Sequence, residues 1–352
     1  MVYQPALSLS QFDFQLPAEL IAQHPSPQRD RSRLFVVDRR QGSFAHKSFH
    51  DFPGYLQPGD AVILNDTRVR PVRLKGTING KPAELLLVEQ RSRNRYLVMA
   101  KPGKRLVEGA RIEGHDWQAR CLGSMAYQAG MRLPEIEFSG EEDIETKLDH
   151  IGLMPLPPYI KRPATKDDQE RYQTVFSRHA GAIAAPTAGL HFTQATLQEV
   201  ERRGAQVGYV TLHVGIGTFA PVRNEDITQH VMHQERFVLS AETAQRIETT
   251  RQAGKRVCAV GTTVSRVLET CSESRGKQLC VQPQTGETDI FIHPPYEFKA
   301  IDMLLTNFHL PRTTLLMMVS AFAGRELILA AYEEAIREKY RFFSYGDAML
   351  IV

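Results

Sequence analysis

Runs of apolar residues alternate with turn signals along this chain in two different rhythms. Residues 34–38 form a short apolar run that ends at Gln41-Gly42, and 49–56 has the spacing of a short amphipathic helix. A Gln57-Pro58-Gly59-Asp60 turn then leads into Ala61-Val62-Ile63-Leu64, an uninterrupted apolar run suited to a strand buried on both faces. From 69 to 154 the texture is short and regular. Segments 69–78 and 83–89 flank Asn79-Gly80, a dipeptide that fits the tight turn of a hairpin, and 96–100, 110–113, 117–122 and 131–138 continue as short strands. That succession predicts a small antiparallel barrel, left through a helix at 141–151 and a stiff Met154-Pro155-Leu156-Pro157-Pro158 connection.

Beyond 155 strands and helices take turns. Helices are expected at 193–203 with Thr193 as N-cap, from Ser240 to 253, at 262–270, at 312–323 and at 326–340. Strands are expected at 206–213, 257–260, 288–292, 303–305 and 348–352. This rhythm predicts an α/β layered-sandwich domain, made of 1–68 and 155–352, interrupted by an inserted small antiparallel β-barrel domain at 69–154.

Composition changes little in this picture. With 352 residues, 42% hydrophobic and 24% charged, the chain is ordinary globular material. Cys121, Cys258, Cys271 and Cys280 show neither a C-x-x-C pair nor zinc spacing and are expected as reduced thiols. The first residues lack the basic and apolar regions of a signal peptide, and no apolar stretch is long enough to span a bilayer, so a soluble, cytoplasmic protein with no membrane association and no obligate protein partner is expected.

Charge distribution says more than the net charge of +3. Residues 68–105 hold eleven Lys or Arg against two Glu, a balance of 11 − 2 = +9, and 135–149 holds seven acidic residues against one Lys, or 1 − 7 = −6. Displayed on strands, the basic run could face a phosphate backbone, whereas salt-bridged solvent surface is the plainer use.

Four strand-to-loop junctions concentrate Gly, Thr, His and Asn: 185–192, 213–219, 260–266 and 305–311. Ligands of α/β sheets bind where strands end. Gly261-Thr262-Thr263 at a helix start offers free N–H groups to an anion, and Arg266 stands one turn further on. Gly215-Ile216-Gly217 lacks the third glycine of a dinucleotide fingerprint, which argues against a Rossmann cofactor. His191, His213, His233 and His309 fall in or beside these loops, where hydrogen bonding or proton transfer is expected rather than metal binding. His230, His233 and Glu235 outline a metal pair only loosely, so no metal is expected. The aromatic cluster at 340–347 suits either a base-stacking platform or the packed end of the C-terminal helix.

Together these segments resemble the S-adenosylmethionine:tRNA ribosyltransferase-isomerases of queuosine biosynthesis. The resemblance rests on NDTR at 65–68, MPLPPYIKR at 154–162, AAPTAGLHF at 184–192, LHVGIGTF at 212–219, Val260–Thr263 with Arg266 and Glu269, LTNFHLP at 305–311 and YRFFSYGDAM at 340–349. One departure stands at His293-Pro294-Pro295-Tyr296, where the family usually has Pro-Gly before an aromatic.

The resemblance implies an α/β domain with an inserted barrel. It also implies transfer and isomerisation of the ribosyl moiety of S-adenosylmethionine onto 7-aminomethyl-7-deazaguanine at the tRNA wobble position, giving epoxyqueuosine and releasing adenine and methionine. The partners implied are S-adenosylmethionine, a consumed substrate rather than a cofactor, and the anticodon region of tRNA. On that basis acid–base roles are expected of His191, His213 and His309, and methionine-carboxylate binding of Thr262, Thr263 and Arg266. Sugar or adenine contacts are expected of Thr187, Thr218 and Asn307, with Gly189, Gly215, Gly217 and Thr306 completing the substrate loops. Contacts to tRNA are expected of Asn65, Arg68, Arg70, Arg73, Lys75 and Tyr345. Two alternatives stay open: an S-adenosylmethionine-dependent RNA methyltransferase, and a non-catalytic RNA-binding module using the basic barrel.

Overall fold

The computed structural model describes residues 7–219, 222, 224–275 and 278–352. Nine strands form one mixed sheet, in the spatial order Gln284–Thr288, Glu235–Leu239, Gln206–Leu212, Ala61–Asn65, Val257–Val260, Met303–Asn307, Ala348–Ile351, Arg33–Asp38, Ser43–Ser48. The four strands from Gln206–Leu212 to Met303–Asn307 are mutually parallel, with Cys258 opposite both Val62 and Met303. Strands buried on both faces carry continuous apolar runs, which is why AVIL and VCAV are readable as core. The flanking strands are mostly antiparallel, and Glu235–Leu239 alternates: Glu235, Phe237 and Leu239 point inward, Arg236 and Val238 outward.

The order of the central strands reverses direction. After Ala61–Asn65 the chain next enters this sheet at Gln206–Leu212 on one side, whereas after Val257–Val260 it passes through a helix at Thr262–Thr270 and the edge strand Gln284–Thr288 before entering at Met303–Asn307 on the other. Their following segments therefore part, opening a crevice at the carboxyl ends of the two neighbours. Helices cover the sheet, with Thr193 capping Gln194–Arg202 and Ser240 capping Ala241–Gln252 through their hydroxyls, as the sequence leads one to expect.

Between Arg73 and Phe138 six antiparallel strands close into a barrel, in ring order Arg132–Phe138, Arg95–Lys101, Lys81–Ser92, Arg73–Ile78, Arg111–Glu113 and Gln118–Ala126. Asn79 and Gly80 both take positive φ (48° and 74°), as the tight hairpin turn requires. The barrel core, built on Leu74, Leu85, Val98, Ile112 and Ile136, also receives Ile183 and Ile216 from the α/β part, so the barrel is packed onto the loops at the carboxyl edge of the sheet. A short parallel pair, Thr67–Val69 with His179–Ala182, ties the two together.

Several elements differ from expectation for visible reasons. Residues Phe49–Tyr55 form a 3-10 rather than an α-helix, with Pro53 inside it. The helix expected at 141–151 shrinks to the 3-10 turn Ile144–Lys147 and Leu148–Ile151, because Asp143 accepts the Glu145 amide and starts the helix late. The helix expected from 312 begins at Thr314, since Arg312 has φ 60° and Thr313 is the cap. The strand expected at 288–292 lies instead at Gln284–Thr288, and the carbonyls of Thr288 and Ile290 are taken by the Arg266 guanidinium at 3.3 and 3.2 Å.

The two opposed charge runs meet each other. Arg95 pairs with Glu137 at 2.7 Å, Arg70 pairs with Glu145, and Arg93 bonds the Glu141 carbonyl. Of the basic run, Arg70, Arg73, Arg91 and Arg95 are ion-paired among the described residues.

Candidate active site

The carboxyl ends of the central parallel strands carry Asn65, Leu212, Val260 and Asn307. Asn65 is almost fully buried. Its Nδ2 donates to the Leu212 carbonyl (3.1 Å) and the Thr263 hydroxyl (3.3 Å), and its Oδ1 accepts the amides of Leu212 (3.0 Å) and Thr67 (3.1 Å). One side chain therefore fastens two strands and orients Thr263.

Gly261 is the N-cap of the Thr262–Thr270 helix and has φ 96°, a conformation that favours glycine. Lacking a side chain, it offers the first turn no cap, and the amides of Thr262, Thr263 and Val264 have no acceptor among the described residues. Free N–H groups at a helix start favour an anionic group.

These pieces face a cleft of about 410 Å³. Its polar side is lined by Thr187, Thr262, Thr263, Thr306, Asn307 and His309, and its apolar side by Tyr159, Val214, Val222, Phe308, Leu310 and Phe343. The Tyr159 and Phe343 rings lie 4.3 Å apart, and Tyr159 Oη is 2.6 Å from Ser344 Oγ. Phe343 has φ 73°, unusual for a bulky residue, and is held there by a tight loop: a Cβ on Gly346 would come within 2.4 Å of the Arg341 carbonyl. The size, the flat apolar wall and the few convergent polar groups suit a small nucleoside-containing molecule.

The three histidines expected to move protons are placed differently. His191 is buried, with Nδ1 2.7 Å from Ser32 Oγ, Nε2 3.1 Å from Asn307 Nδ2 and its ring stacked on Phe49 at 5.1 Å. Burial, helped by the nearby Arg341 and Arg29 charges, lowers its pKa to about 3. His309 lines the cleft, its Nε2 2.9 Å from Thr306 Oγ1, and burial lowers its pKa to about 3. Its Nδ1 has no partner among the described residues and is not sealed in the core. His213 is half-buried outside the cleft lining, its Nδ1 2.8 Å from Thr67 Oγ1 where the sheet meets the barrel connection. Burial and the neighbouring His179 lower its pKa. Asn307 thus joins His191 to the cleft that His309 lines, while His213 stands apart.

Gly189 and Gly217 serve close packing, since a Cβ would meet Thr174 and Phe176 (2.8 Å) at the first and His233 (2.6 Å) at the second. The Gly215 amide donates to Glu235 at 3.0 Å, and the Thr218 side chain lies outside the described residues. Arg266 reaches the cleft but is ion-paired with the buried Glu235 and bonded to two carbonyls, so binding a carboxylate would require exchanging internal partners.

Two residues expected at a tRNA surface are corrected. Asn65 is 1% exposed with its amide committed to the strand ends, and Tyr345 is 3% exposed, its hydroxyl donating to Asp168 at 2.7 Å. Burial opposes ionisation of Asp168, but the paired Arg162, the Thr165 amide and the Tyr345 hydroxyl outweigh it and hold the carboxyl well below its ordinary value. Tyr345 therefore offers no ring to a base. Arg70 is half-buried on Glu145, and Arg73 donates to the Leu156 carbonyl at 2.7 Å. Arg68 and Lys75 are exposed and form no ion pair among the described residues. Among those residues no group of His, Cys, Asp or Glu is arranged to hold a metal, and no single helix is long and apolar enough to cross a membrane.

Sequence reasoning passed over Ser32, Tyr159 and Phe343. The latter two lie in quoted motifs, MPLPPYIKR and YRFFSYGDAM, but Ser32 gives no signal beyond preceding a strand. In the His293-Pro294-Pro295-Tyr296 departure, the Tyr296 hydroxyl donates to the buried Glu269 at 3.1 Å, so this stretch is fastened to the end of the Thr262–Thr270 helix.

The same chain-long pattern is found in known proteins. The S-adenosylmethionine:tRNA ribosyltransferase-isomerase of Desulforamulus reducens is 49% identical over 348 residues, covering 98% of this chain and 100% of that protein. Its counterpart in Pelotomaculum thermopropionicum is 50% identical over 350 residues with the same coverage. The crystal structure of an S-adenosylmethionine tRNA ribosyltransferase from Thermotoga maritima is 34% identical and covers 97% of this chain and 100% of its own, with a TM-score of 0.55. A family model for queuosine biosynthesis proteins matches residues 9–351, which takes in the sheet, the barrel and every loop of the cleft, and the chain belongs to that family.

Proposed function

We propose that this chain transfers and isomerises the ribosyl moiety of S-adenosylmethionine onto the 7-aminomethyl-7-deazaguanine wobble base of tRNA, giving epoxyqueuosine and releasing adenine and methionine. The observation that carries the reading is the cleft at the reversal of strand order. There an uncapped helix start, Thr187, Thr262, Thr263, Thr306, Asn307 and His309 face an aromatic wall in a chain about half identical to ribosyltransferase-isomerases along its whole length.

In this reading 1–68 and 155–352 form the catalytic domain and 69–154 the inserted barrel. The amides of Thr262 and Thr263 take the methionine carboxylate, and Tyr159 and Phe343 form the wall beside the nucleoside. Thr187, Thr306 and Asn307 supply hydrogen bonds to the nucleoside. A proton on the ribose carbon next to the sulfonium is acidified by the positive sulfur. A base removes it, and the electron pair left on carbon expels adenine, which departs with a proton on a ring nitrogen. The tRNA amine bonds to the activated sugar and gives up a proton, and the sugar's C–S bond breaks as the epoxide closes, releasing methionine. His309, neutral and with Nδ1 free, accepts a proton in the cleft when Nε2 carries the ring hydrogen and donates it to Thr306, and His213 stands on the barrel side, from which tRNA would approach. S-adenosylmethionine is consumed and no further cofactor is invoked. The enzyme works in the cytoplasm, where its tRNA substrate is found.

The test mixes purified protein with S-adenosylmethionine and tRNA carrying the aminomethyl base. Equimolar adenine and methionine with a matching gain of mass on the tRNA are expected. S-adenosylhomocysteine without free adenine would identify a methyltransferase instead, and tRNA binding without either product would identify a binding module.

A further inference from the structure

Buried polar groups behind the cleft form a hydrogen-bond chain whose direction is fixed at both ends. Ser32 Oγ lies 3.2 Å from the Arg29 carbonyl and 2.7 Å from His191 Nδ1, and His191 Nε2 lies 3.1 Å from Asn307 Nδ2. That same Nδ2 lies 3.3 Å from the Phe343 carbonyl. A carbonyl oxygen only accepts, so the Asn307 amide must turn its nitrogen to Phe343; reversed, it would set oxygen against oxygen. With the amide N–H groups facing His191, Nε2 has to accept, and the ring hydrogen sits on Nδ1. That hydrogen goes to Ser32 Oγ, whose own hydrogen goes to Arg29. The remaining atom is Asn307 Oδ1, which is buried and has no hydrogen-bond partner among the described residues, on a side chain that lines the cleft.

We infer that His191 is a positioning residue: with Ser32 it holds the Asn307 amide so that Oδ1 accepts from a neutral N–H or O–H donor on the nucleoside of the bound substrate. The substrate identity rests on the function proposed above. The donor is neutral because those a nucleoside carries, an exocyclic amino group and sugar hydroxyls, are uncharged. The adenine amino group and the ribose hydroxyls share this chemistry. Both ring nitrogens of His191 are occupied and burial keeps the ring neutral, so it is poorly placed to carry a proton to or from substrate. A buried acceptor left unmatched is costly, which makes Oδ1 selective as well as attractive: a ligand lacking the donor is penalised.

The experiment is a binding cycle read by calorimetry without tRNA. S-adenosylmethionine is compared with its 6-oxopurine, 2′-deoxy and 3′-deoxy analogues on the wild-type protein and on Asn307→Ala, His191→Ala, His191→Gln and Ser32→Ala. One analogue is expected to bind the wild-type protein about tenfold more weakly than S-adenosylmethionine, and to lose that disadvantage on Asn307→Ala. Which analogue it is distinguishes the amino group from the hydroxyls. His191→Ala erases the same selectivity, whereas His191→Gln, whose amide oxygen can accept from Asn307, recovers most of it. Ser32→Ala, a smaller change, weakens it in the same direction should His191→Ala fail to fold.

Equal analogue penalties on the wild-type protein and Asn307→Ala would overturn the inference. So would a His191→Gln protein that keeps wild-type selectivity yet turns over as poorly as His191→Ala, by about 10²-fold or more, the signature of lost proton transfer. Wild-type protein that binds S-adenosylmethionine but releases no adenine with tRNA would end the proposed function and leave the binding cycle to decide this inference; absence of binding would end both.

Discussion

The Arg266 guanidinium lies against the Glu235 carboxylate at the edge of the cleft, and the other Glu235 oxygen accepts the Gly215 amide at 3.0 Å. Two loops that line the cleft, 213–219 and 260–266, are thereby joined through one carboxylate. Both partners are buried, so Glu235→Ala leaves an unmatched interior cation. A loss of about 3–5 kcal/mol in unfolding free energy is expected from denaturant melts. Arg266→Lys should be nearly as damaging, because an ammonium cannot reach Glu235 and the carbonyls of Thr288 and Ile290 together. Glu235→Gln keeps an acceptor for Gly215 but removes the charge. Affinity for S-adenosylmethionine should stay within about twofold if the Thr262 and Thr263 amides bind the carboxylate. A marked gain in affinity would show that the released Arg266 does so.

Acid should destabilise this protein earlier than its carboxylates alone would dictate. His191 and His309 have pKa values lowered by burial to about 3 in the folded state, against about 6.5 when unfolded. The unfolded chain therefore binds more protons between those values, so the stability that neutral burial provides is complete above pH 6.5 and falls away below it. At pH 5.5 each histidine should have lost about 1.4 kcal/mol. Unfolding free energies from urea melts at pH 7.5 and 5.5 should differ accordingly, and the difference should shrink by about 1.4 kcal/mol in His309→Gln. An unchanged pH dependence in that variant would mean that His309 is protonated as readily in the fold as outside it.

Tyr345 tests the difference between a packed aromatic and a stacking one. Its hydroxyl, the Thr165 amide and Arg162 together satisfy the buried Asp168. Tyr345→Phe removes one donor to that carboxylate and should lower stability by about 1–3 kcal/mol. Affinity for tRNA, measured on the folded variant, should be unaffected. A large loss of tRNA binding with normal stability would restore the stacking role.

What was legible in the sequence follows from physics that is local or periodic. The AVIL and VCAV runs, the Asn79-Gly80 turn and the caps at Thr193 and Ser240 each depend on residues within a few positions of one another, and each is found as expected. The loops around the cleft were visible by their Gly, Thr, His and Asn content. Which atoms in them remain free was not, because that depends on partners far along the chain: Ser32 to His191, Glu235 to Arg266, Asp168 to Tyr345. Asn65 shows the limit plainly. A polar residue at a strand end suits a binding surface and a strand clamp equally, and only the facing Leu212 and Thr263 make it the second. The edge strand Ser43–Ser48 escaped for another reason: its SFAHKS sequence is short and largely polar.

The barrel's share in tRNA binding comes down to which cations are uncommitted. Arg70 is tied to Glu145, Arg95 to Glu137 and Arg73 to a carbonyl, so their charges are largely neutralised or fixed. Arg68 and Lys75 are exposed without an ion pair among the described residues, and Arg68 sits on the strand that joins the barrel to the carboxyl edge of the sheet. Each phosphate neutralised releases counterions, so the logarithm of the tRNA binding constant should fall against the logarithm of salt concentration, and Arg68→Ala should reduce that slope by about one. Lys75→Ala should do the same if the RNA runs along the outer barrel face, and nothing if it stays at the junction. Arg95→Ala serves as the matched control, since it removes a charge already opposed by Glu137. Its slope should equal that of the wild-type protein when binding is measured by fluorescence anisotropy across a salt series. If all three variants keep the wild-type slope, neither Arg68 nor Lys75 neutralises a phosphate of the bound RNA.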